Sequence, residues 1–415
     1  MGKYNIFVGF ISTFCMTFLF SCSGSSEKSN LPDIDSMTFK IQIDINDNNA
    51  AELRYSDVYT DVSYVKLESK KESSIGIIDK LEISKHNDII IFDKANGKIL
   101  RFTPTGKFLN NIGRMGHAKN EYVCPELMAY DEYNDNVIVY DGAKKMLMHY
   151  SIDGLLVNET ALPKYIADFG VVNESTLAIF ANHRDILEDG QTAYNMELID
   201  YGGNVKSQYE PYTNEKENFK PAPNNTFINN DGQLLYHQYY TPTFYSITEE
   251  GIKQAIYLDF MSKQIPPDWL SSNKDMDVNE KIFRSDNDVA YCNVLYHSEN
   301  YYILNATLGK KGEIATIFIN KKDTSKQTMG TFMFNDIYGI LTSSVSLYKK
   351  GKVYGVINPE TVDNFTSTIN DPMSYDNYKH VLRKRKKYTI TDNDTCLIHE
   401  MSNNTNPIIQ ICTVK

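Results

Sequence analysis

A turn motif that recurs at nearly constant spacing constrains the fold of this chain more than any other feature. Four times, an apolar or aromatic strand runs into polar residues and then a glycine, at Gly106, Gly154, Gly203 and Gly251. Consecutive glycines lie 48, 49 and 48 residues apart (154 − 106, 203 − 154 and 251 − 203). A period of about 40 to 50 residues with several short strands per repeat predicts the blades of a β-propeller.

Short apolar runs separated by Asn, Asp and Gly give the strands within each repeat. In the first two repeats, strands are predicted at residues 78–83, 89–92, 99–102, 108–112, 137–141, 146–150 and 155–157. Later strands are predicted at 176–180, 194–199, 234–236, 244–247, 301–304, 314–319, 345–347 and 353–357. Six such units fit the length. We therefore predict an all-β, six-bladed β-propeller over residues 37–415, closed by pairing of the C-terminal strand with strands from the N-terminal end.

Two segments break the period and are predicted to be short helical insertions. Residues 261–290 contain Trp269 and the pair Val278 and Ile282, and residues 359–387 contain Tyr375, Tyr378 and Leu382 at helical spacing. Insertions in repeat proteins usually lie on one face and often build the binding surface.

The N-terminus is typical of a lipoprotein signal peptide. An apolar stretch from Ile6 to Phe20 is too short to span a bilayer and ends in Leu19-Phe20-Ser21-Cys22, which resembles the bacterial lipobox. We predict a signal peptide over residues 1–21, acylation of Cys22, and a flexible tether over 22–36 that is rich in Ser, Gly, Glu, Lys and Asn. An ordinary secretory signal with a chance cysteine is the alternative, and both interpretations export the chain.

Charge and cysteine content exclude some classes of function. The formal net charge is −11 from 42 Lys and Arg against 53 Asp and Glu, so the chain lacks the basic character that nucleic-acid binding requires. Apart from Cys15 and Cys22, the cysteines are Cys124, Cys292, Cys396 and Cys412, with no CxxC spacing. Cys396 and Cys412 could form a disulfide if the chain between them is a hairpin, but Leu397, Ile398 and Met401 fit a helix equally well.

The sequence resembles the NHL-related six-bladed β-propeller lipoproteins of Gram-negative bacteria. The resemblance is carried by Val65-Lys66-Leu67-Glu68, by residues 91–93 and 101–109, by the loop 112–122 ending in Glu121-Tyr122, and by Asn406-Pro407-Ile408-Ile409-Gln410-Ile411. Ala118 and Lys119 depart from the family's Gly-Pro in that loop. The resemblance covers about residues 39–415 and implies an anchored propeller, and it implies little about activity because one propeller scaffold carries many functions.

The glycine-rich loop is the first candidate binding site. It carries the charged or polar side chains Arg114, His117, Glu121 and Tyr122, and its glycines would allow a ligand to approach closely. The structural alternative is a connection between two blades in which Glu121 and Tyr122 act as anchors.

Exposed aromatic residues would provide stacking platforms for sugars, and Tyr239, Tyr240 and Trp269 are the candidates. Packing against the edge of a blade is their structural alternative. The basic run 383–387 could contact acidic glycans or lipid head groups, or it could be the solvated end of a helix.

Metal binding is the third possibility weighed. His183, His237 and His297 follow apolar strands in successive blades, where three imidazoles around an axis could hold zinc. Asp93 and Asp141 end strands one repeat apart and could bind a cation, although Asp at such positions more often bonds to nearby backbone. No short catalytic or metal-binding motif supports these sites, so no cofactor is predicted beyond the possibility of a metal ion.

The sequence favours a non-catalytic binding protein that is lipid-anchored at the cell envelope, in the outer membrane, because anchoring, a repeat scaffold and the absence of catalytic motifs all point that way. Its ligand would be a glycan, a peptide or a partner protein, and nucleic acid is excluded. An enzyme of hydrolase, lyase or lactonase type with a metal in the central channel is one alternative. A scaffold subunit of an outer-membrane uptake complex is the other.

Overall fold

A computed structural model describes residues 38–45, 52–183, 188, 190–213, 226–266, 269, 280–282, 289–309, 312–338, 341–386, 388–402 and 404–415. These residues belong to one compact unit, Pro32–Lys415. The predicted signal peptide, Cys22 and the tether lie outside the described residues. Among the described residues, no helix is long and apolar enough to cross a bilayer.

Six antiparallel sheets form the blades of a propeller, as the repeat predicts. Blade 1 comprises β4 (Lys80–Ile83), β5 (Ile89–Asp93), β6 (Lys98–Phe102) and β7 (Phe108–Asn111). Blade 2 comprises β8 (Pro125–Asp131), β9 (Asn136–Asp141), β10 (Met146–Ser151) and β11 (Leu156–Ala161). Blade 3 comprises β12 (Asp168–Asn173), β13 (Thr176–Phe180), β14 (Ala193–Asp200) and β15 (Val205–Tyr212).

The second half of the ring is built in the same way. Blade 4 comprises β16 (Phe227–Asn230), β17 (Gln233–His237), β18 (Thr243–Thr248) and β19 (Gly251–Asp259), and β1 (Phe39–Gln42) adds a parallel fifth strand beside β19. Blade 5 comprises β20 (Ala290–His297), β21 (Tyr301–Leu308), β22 (Glu313–Asn320) and β23 (Gln327–Gly330). Blade 6 comprises β25 (Val345–Lys349), β26 (Lys352–Ile357), β27 (Ile408–Val414) and β3 (Tyr59–Lys66).

The ring closes through blade 6, whose strands come from both ends of the described chain. β27 pairs antiparallel with β3, from Ile408 opposite Lys66 to Val414 opposite Tyr59. The first strands of the blades contact their neighbours around the axis, in the order β25, β4, β8, β12, β16 and β20. The predicted closure by the C-terminal strand is therefore confirmed.

The recurring glycines are explained by contact between successive blades. Gly106, Gly154 and Gly203 have φ of +83°, +89° and +86°, in the region that favours glycine. A Cβ at Gly106 would lie 2.1 Å from the carbonyl oxygen of Lys66, in the outer strand of the preceding blade. The equivalent turns at Gly154 and Gly203 approach the carbonyl oxygens of Asn111 and Ala161. The sequence period thus marks the place where each blade touches the one before it.

The two ends of the ring differ. We call the end that carries the turns between first and second strands the hairpin face, for example residues 132–135 and 350–351. The opposite end, which we call the loop face, carries the connections between blades and the turns between second and third strands. Both predicted insertions leave and rejoin the ring at the loop face, one between β19 and β20 and one between β26 and β27.

The second insertion is longer than predicted. It contains α2 (Pro359–Asn370), α3 (Pro372–Val381), a π-helical turn (Leu382–Lys386) and α4 (Asp392–Met401), and a short α1 (Tyr55–Val58) precedes β3. In the first insertion, the described part includes a 3₁₀ turn (Met261–Lys263), and Val278 lies outside the described residues. A small parallel sheet of β2 (Glu52–Arg54) and β24 (Phe332–Phe334) completes the strands.

A buried amide joins the N-terminal segment to the closing strand. Gln410, in β27, is 0% exposed. Its Oε1 accepts hydrogen bonds from the Tyr55 hydroxyl at 2.8 Å and the Ser343 hydroxyl at 2.7 Å, and its Nε2 donates to the Leu341 carbonyl oxygen at 2.7 Å. Because an unpaired buried amide is costly, these bonds fix the segment before β25 against blade 6.

Candidate functional site

The central channel contains a cavity of about 880 Å³. Its wall includes residues from the first strand of all six blades: Lys80, Leu81, Glu82, Ala129, Tyr130, Phe169, Gly170, Val171, Phe227, Ile228, Asn229, Asn293, Val294, Tyr296, Val345, Ser346 and Leu347. Cavities of roughly 300 to 1,000 Å³ are the usual size of small-molecule sites. The cavity is therefore the leading candidate site.

Turns of three alternate blades meet across the hairpin face. The Lys349 ammonium of blade 6 lies 2.5 Å from a carboxylate oxygen of Glu132 in blade 2. The Lys350 amide donates to the Asp231 carboxylate of blade 4 at 3.0 Å. The Tyr133 hydroxyl, also of blade 2, contacts the carbonyl oxygen of residue 232 at 3.5 Å. These contacts join blades 2, 4 and 6 in a triangle that we call the floor, so a ligand would reach the cavity from the loop face.

In blade 5 the cavity extends outward between blades, which makes a cleft. Lining residues there come from all four strands, and we define the cleft wall by Asn293, Asn305, Thr307, Ile314 and Thr316. The polar members form two pairs. Asn293 Nδ2 donates to Thr307 Oγ1 at 2.9 Å, and Thr316 Oγ1 donates to Asn305 Oδ1 at 3.1 Å. The wall thus presents neutral amides and hydroxyls in a row across the sheet.

Apolar side chains lie at the edge of the cleft. Phe332 is 52% exposed and Ile314 is 57% exposed, and both line the cavity. Segment 342–346 of blade 6 lines the opposite side and supplies Thr342, Ser343, Ser344 and Ser346. An exposed ring beside a row of amides and hydroxyls offers both a stacking surface and hydrogen bonds.

Lys80 and Glu82 place opposite charges in the wall of the central channel. The Lys80 Nζ lies 3.8 Å from a Glu82 carboxylate oxygen, and both side chains line the cavity. Burial raises the pKa of the Glu82 carboxyl, while Lys80 and Lys349 act in the opposite direction. Together with Asp79, these two residues are the charged side chains in the described cavity wall.

Asp168 is a second carboxyl group with a raised pKa near the axis. Burial raises its pKa to about 6, although Lys80 and backbone amides oppose the shift. Its Oδ2 accepts hydrogen bonds from the backbone amides of Thr226 at 3.0 Å and Phe227 at 3.2 Å. The carboxyl therefore joins the first strands of blades 3 and 4, which is a structural role.

The glycine-rich loop bonds to itself. Arg114 Nε donates to Glu121 Oε1 at 2.6 Å, and the Ala118 amide donates to Glu121 Oε2 at 2.9 Å. The Ala118 amide and Arg114 together lower the pKa of the Glu121 carboxyl. Tyr122 is 1% exposed and packs edge-to-face on Tyr150 at 5.9 Å. His117 is exposed. The described cavity wall includes none of the four candidate residues, and Glu121 and Tyr122 occupy the anchoring positions of the structural alternative.

The three candidate aromatic residues do come together, but mainly in a core. Tyr239, Tyr240 and Trp269 pack with Ile265, Ile282, Val289 and Tyr291. Tyr240 is 1% exposed, so it has no surface for stacking on a sugar. Tyr239 is partly buried and also lines the cavity. The cluster holds the insertion after blade 4 against blades 4 and 5.

The three candidate histidines are not brought together. His183 and His237 lie on the loop face, whereas His297 ends the first strand of blade 5 on the hairpin face. The His183 ring lies 4.5 Å from that of Tyr212, and His237 stacks on Phe244 at 4.1 Å. Within the described residues, no group of three His, Cys, Asp or Glu side chains could hold a metal ion. His297 likewise packs edge-to-face on Tyr302 at 5.1 Å, so each of the three rings lies against an aromatic neighbour.

The strand-end aspartates bind backbone. Asp93 Oδ2 accepts a hydrogen bond from the amide of residue 76 at 2.7 Å, and Asp141 Oδ2 accepts one from Val123 at 2.6 Å. Each carboxylate thereby holds the chain just before the first strand of its own blade. Both aspartates therefore bond to nearby backbone, which was the alternative to cation binding.

The remaining candidates lie away from the cavity wall as described. Arg383 and Lys384 are exposed in the π-helical turn, and the side chains of 385–387 lie outside the described residues. Cys396 is exposed on α4 and Cys412 is buried in β27, and both are free thiols. The helical alternative for residues 396–401 is therefore correct, and no hairpin brings Cys396 and Cys412 together in the described structure.

Sequence reasoning missed the residues that define the cleft and the charged pair. Asn293, Asn305 and Thr316 interrupt apolar strands that are otherwise buried, and Lys80 and Glu82 alternate with Leu81. Polar residues inside such strands were the available signal, because a buried polar group requires a partner. Sequence periodicity cannot show which of the two sheet faces lines the channel.

Comparison with known proteins places the fold in a family. A model of the family described as "Domain of unknown function (DUF4934)" matches residues 40–413, and the chain belongs to that family. No curated protein matches the chain.

Among solved structures, the chain resembles a protein of Bacteroides fragilis NCTC 9343 that is named as an exported protein. The identity is 15%, the TM-score is 0.67, and the match covers 91% of this chain and 99% of that one. A DUF4221 member from Bacteroides vulgatus matches with 10% identity and a TM-score of 0.51, covering 88% of this chain and 98% of that one. Similarity at such low identity establishes the fold, which is a six-bladed β-propeller. It does not establish a function.

Proposed function

We propose that this chain is a lipid-anchored cell-envelope protein that binds a short glycan, without catalysis, in the cavity and its blade 5 cleft. The row of Asn and Thr side chains in the cleft, with exposed Phe332 at its edge, is the observation that carries the proposal. Peptide or protein ligands are the alternatives that the binding experiments must exclude.

The cleft wall suits sugar hydroxyls. Asn305 Oδ1 accepts from Thr316, which leaves the two Asn305 amide hydrogens available, because no described residue accepts them. Neutral amides and hydroxyls can exchange hydrogen bonds with a ligand that has many hydroxyl groups. The apolar face of a sugar ring would pack on Phe332, as aromatic side chains favour.

The size and closure of the cavity favour a short ligand. About 880 Å³ accommodates a compound of drug size, and the floor contacts of blades 2, 4 and 6 separate the cavity from the hairpin face. A short oligosaccharide or the end of a longer chain fits such a blind cavity better than the middle of a polymer.

Export and anchoring are supported by the N-terminal sequence, by the resemblance to NHL-related propeller lipoproteins, and by the exported-protein name of the similar B. fragilis chain. Metabolic labelling with an alkyne fatty acid should label the wild-type chain and fail to label Cys22→Ser. The exposed Cys124 provides the matched control, since Cys124→Ser should still be labelled. Labelling of Cys22→Ser would contradict the anchor.

Glycan binding is tested by calorimetric titration of the purified protein with defined neutral oligosaccharides. We expect saturable binding of at least one oligosaccharide. Phe332→Ala should weaken this binding roughly fivefold, because an aromatic contact contributes on the order of 1 kcal/mol. Asn305→Leu should weaken the oligosaccharide affinity more than Phe332→Ala does, because the hydrogen bonds from the Asn305 amide are lost.

Phe39→Ala is the matched control for the aromatic substitution. Phe39 is 42% exposed and lies on β1, away from the described cavity wall, so its truncation should leave the affinity unchanged. Equal loss of affinity in Phe39→Ala and Phe332→Ala, or no binding to any oligosaccharide, would contradict the proposed function.

A further inference from the structure

Glu82 has unused capacity to accept hydrogen bonds at the deep end of the site. It lies on β4, the first strand of blade 1, and its side chain is 20% exposed. The nearest cation, Lys80 Nζ, is 3.8 Å away, which is too far for a hydrogen bond. Among the described residues, no donor lies within hydrogen-bonding distance of the Glu82 carboxylate.

The neighbouring charges do not fill that capacity. The Lys349 ammonium faces the same region but is bonded at 2.5 Å to Glu132 in the floor. Burial raises the pKa of the Tyr296 hydroxyl in blade 5, and the nearby Glu82 carboxylate raises it further. The groups that act electrostatically on Glu82 are therefore two lysines, one of them already paired, and one carboxylate.

A carboxylate in a partly dry cavity needs hydrogen-bond donors, and water or a ligand must supply them. Burial raises the pKa of the Glu82 carboxyl, which is the expected effect of poor solvation. The charged lining residues are Asp79, Lys80 and Glu82, which sum to −1 (−1 + 1 − 1). A ligand carrying hydroxyl donors would be favoured there, and an anionic ligand would be repelled.

We propose that Glu82 is the specificity-determining residue of the cavity: its carboxylate accepts hydrogen bonds from hydroxyl groups on the terminal ring of a neutral glycan, and it excludes glycans with acidic rings. This inference rests on the proposed function, since it specifies the ligand class of the same site. It adds a charge preference that the neutral cleft wall alone does not require.

Matched probes separate charge from shape. Cellotetraose and maltotetraose are each compared with the counterpart in which the C6 hydroxymethyl groups have been oxidised to carboxylates, by calorimetric titration of the purified protein at neutral pH. We expect any neutral probe that binds to do so at least tenfold more tightly than its oxidised counterpart. In Glu82→Gln, neutral binding should weaken about tenfold and the preference should shrink to about threefold or less.

Two further variants complete the experiment. Glu250→Gln removes an acidic side chain that is 77% exposed on the hairpin face, so it should keep the wild-type preference. Lys80→Met should strengthen the discrimination against the oxidised probes, because the lining loses its cation. Thermal unfolding of each variant checks that the fold is intact.

The outcomes separate this inference from the proposed function. Tight binding of a neutral probe with an unchanged preference in Glu82→Gln would overturn the role of Glu82 and leave glycan binding intact. If the wild type bound the oxidised probes as tightly as the neutral probes or more tightly, the role of Glu82 would also be overturned and glycan binding would stand. If no probe of either charge binds, the proposed function and this inference both fail.

Discussion

His237 should make the propeller unstable in mild acid, and the structure allows the size of the effect to be worked out. The side chain is 0% exposed, and its Nε2 lies 2.8 Å from the Thr241 carbonyl oxygen. Because a carbonyl oxygen can only accept, the proton of the neutral ring is on Nε2. Nδ1 is buried and has no hydrogen-bond partner, so a second proton there would have no acceptor.

Burial lowers the pKa of His237 from 6.5 to about 4. The unfolded chain therefore binds a proton more readily than the folded chain between pH 6.5 and 4. The stability that goes with the lowered pKa of His237 is fully present above pH 6.5 and is lost as the pH falls from 6.5 to 4. A fall of the pKa from 6.5 to about 4 corresponds to about 3.4 kcal/mol of unfolding free energy, of which about 2 kcal/mol is lost by pH 5.

The perturbation is His237→Gln, and the assay is urea unfolding of the purified protein at pH 7.5 and pH 5. The wild type should lose about 2 kcal/mol more unfolding free energy between these pH values than the variant does. Other buried histidines titrate in both proteins, so the difference isolates His237. His86→Gln is the control, because the His86 side chain is 55% exposed. Equal losses in the wild type and His237→Gln would refute the reasoning.

Three further substitutions test the contacts that hold the ring together, each by chemical unfolding against the wild type. Gln410→Leu should cost roughly 2 to 4 kcal/mol, because it leaves several buried polar groups unpaired, and a loss below 1 kcal/mol would contradict the network. Gly106→Ala should cost a similar amount, roughly 2 to 4 kcal/mol, since its Cβ would meet the Lys66 carbonyl oxygen at 2.1 Å, and an unchanged midpoint would show that the blades can separate freely there. Glu132→Ala should cost roughly 2 kcal/mol by leaving Lys349 unpaired, and adding Lys349→Met should recover stability; failure to recover would mean that the ion pair is not the reason.

The sequence predicted the fold well because the repeat reflects contacts between neighbouring blades. The period of Gly106, Gly154 and Gly203 records a close approach to a carbonyl oxygen that only glycine allows, and this constraint is local to each blade. The short strands were predicted by apolar runs that both faces of a blade bury, as in β5, where all five residues are buried.

The candidate site was predicted less well because it depends on which residues meet across the ring. His183, His237 and His297 occupy similar places in the sequence pattern, yet His297 ends a first strand and lies at the opposite face. Tyr240 and Trp269 are aromatic residues near an insertion, but they pack the insertion onto the blades. Glu82 lies in an ordinary alternating strand, and the sequence does not show that this side of the strand lines the channel.

The pairing of β3 with β27 has a consequence for folding kinetics. Ser63 lies opposite Ile411, so the pair joins residues 348 positions apart (411 − 63). Closing a loop of that length costs on the order of 5 kcal/mol in chain entropy, and contacts so distant in sequence slow folding. Five blades can assemble from neighbouring residues as the chain is made, but the sixth must wait for the final strand. The ring should therefore close late, and until then the edge of β3 is open to pairing with other chains.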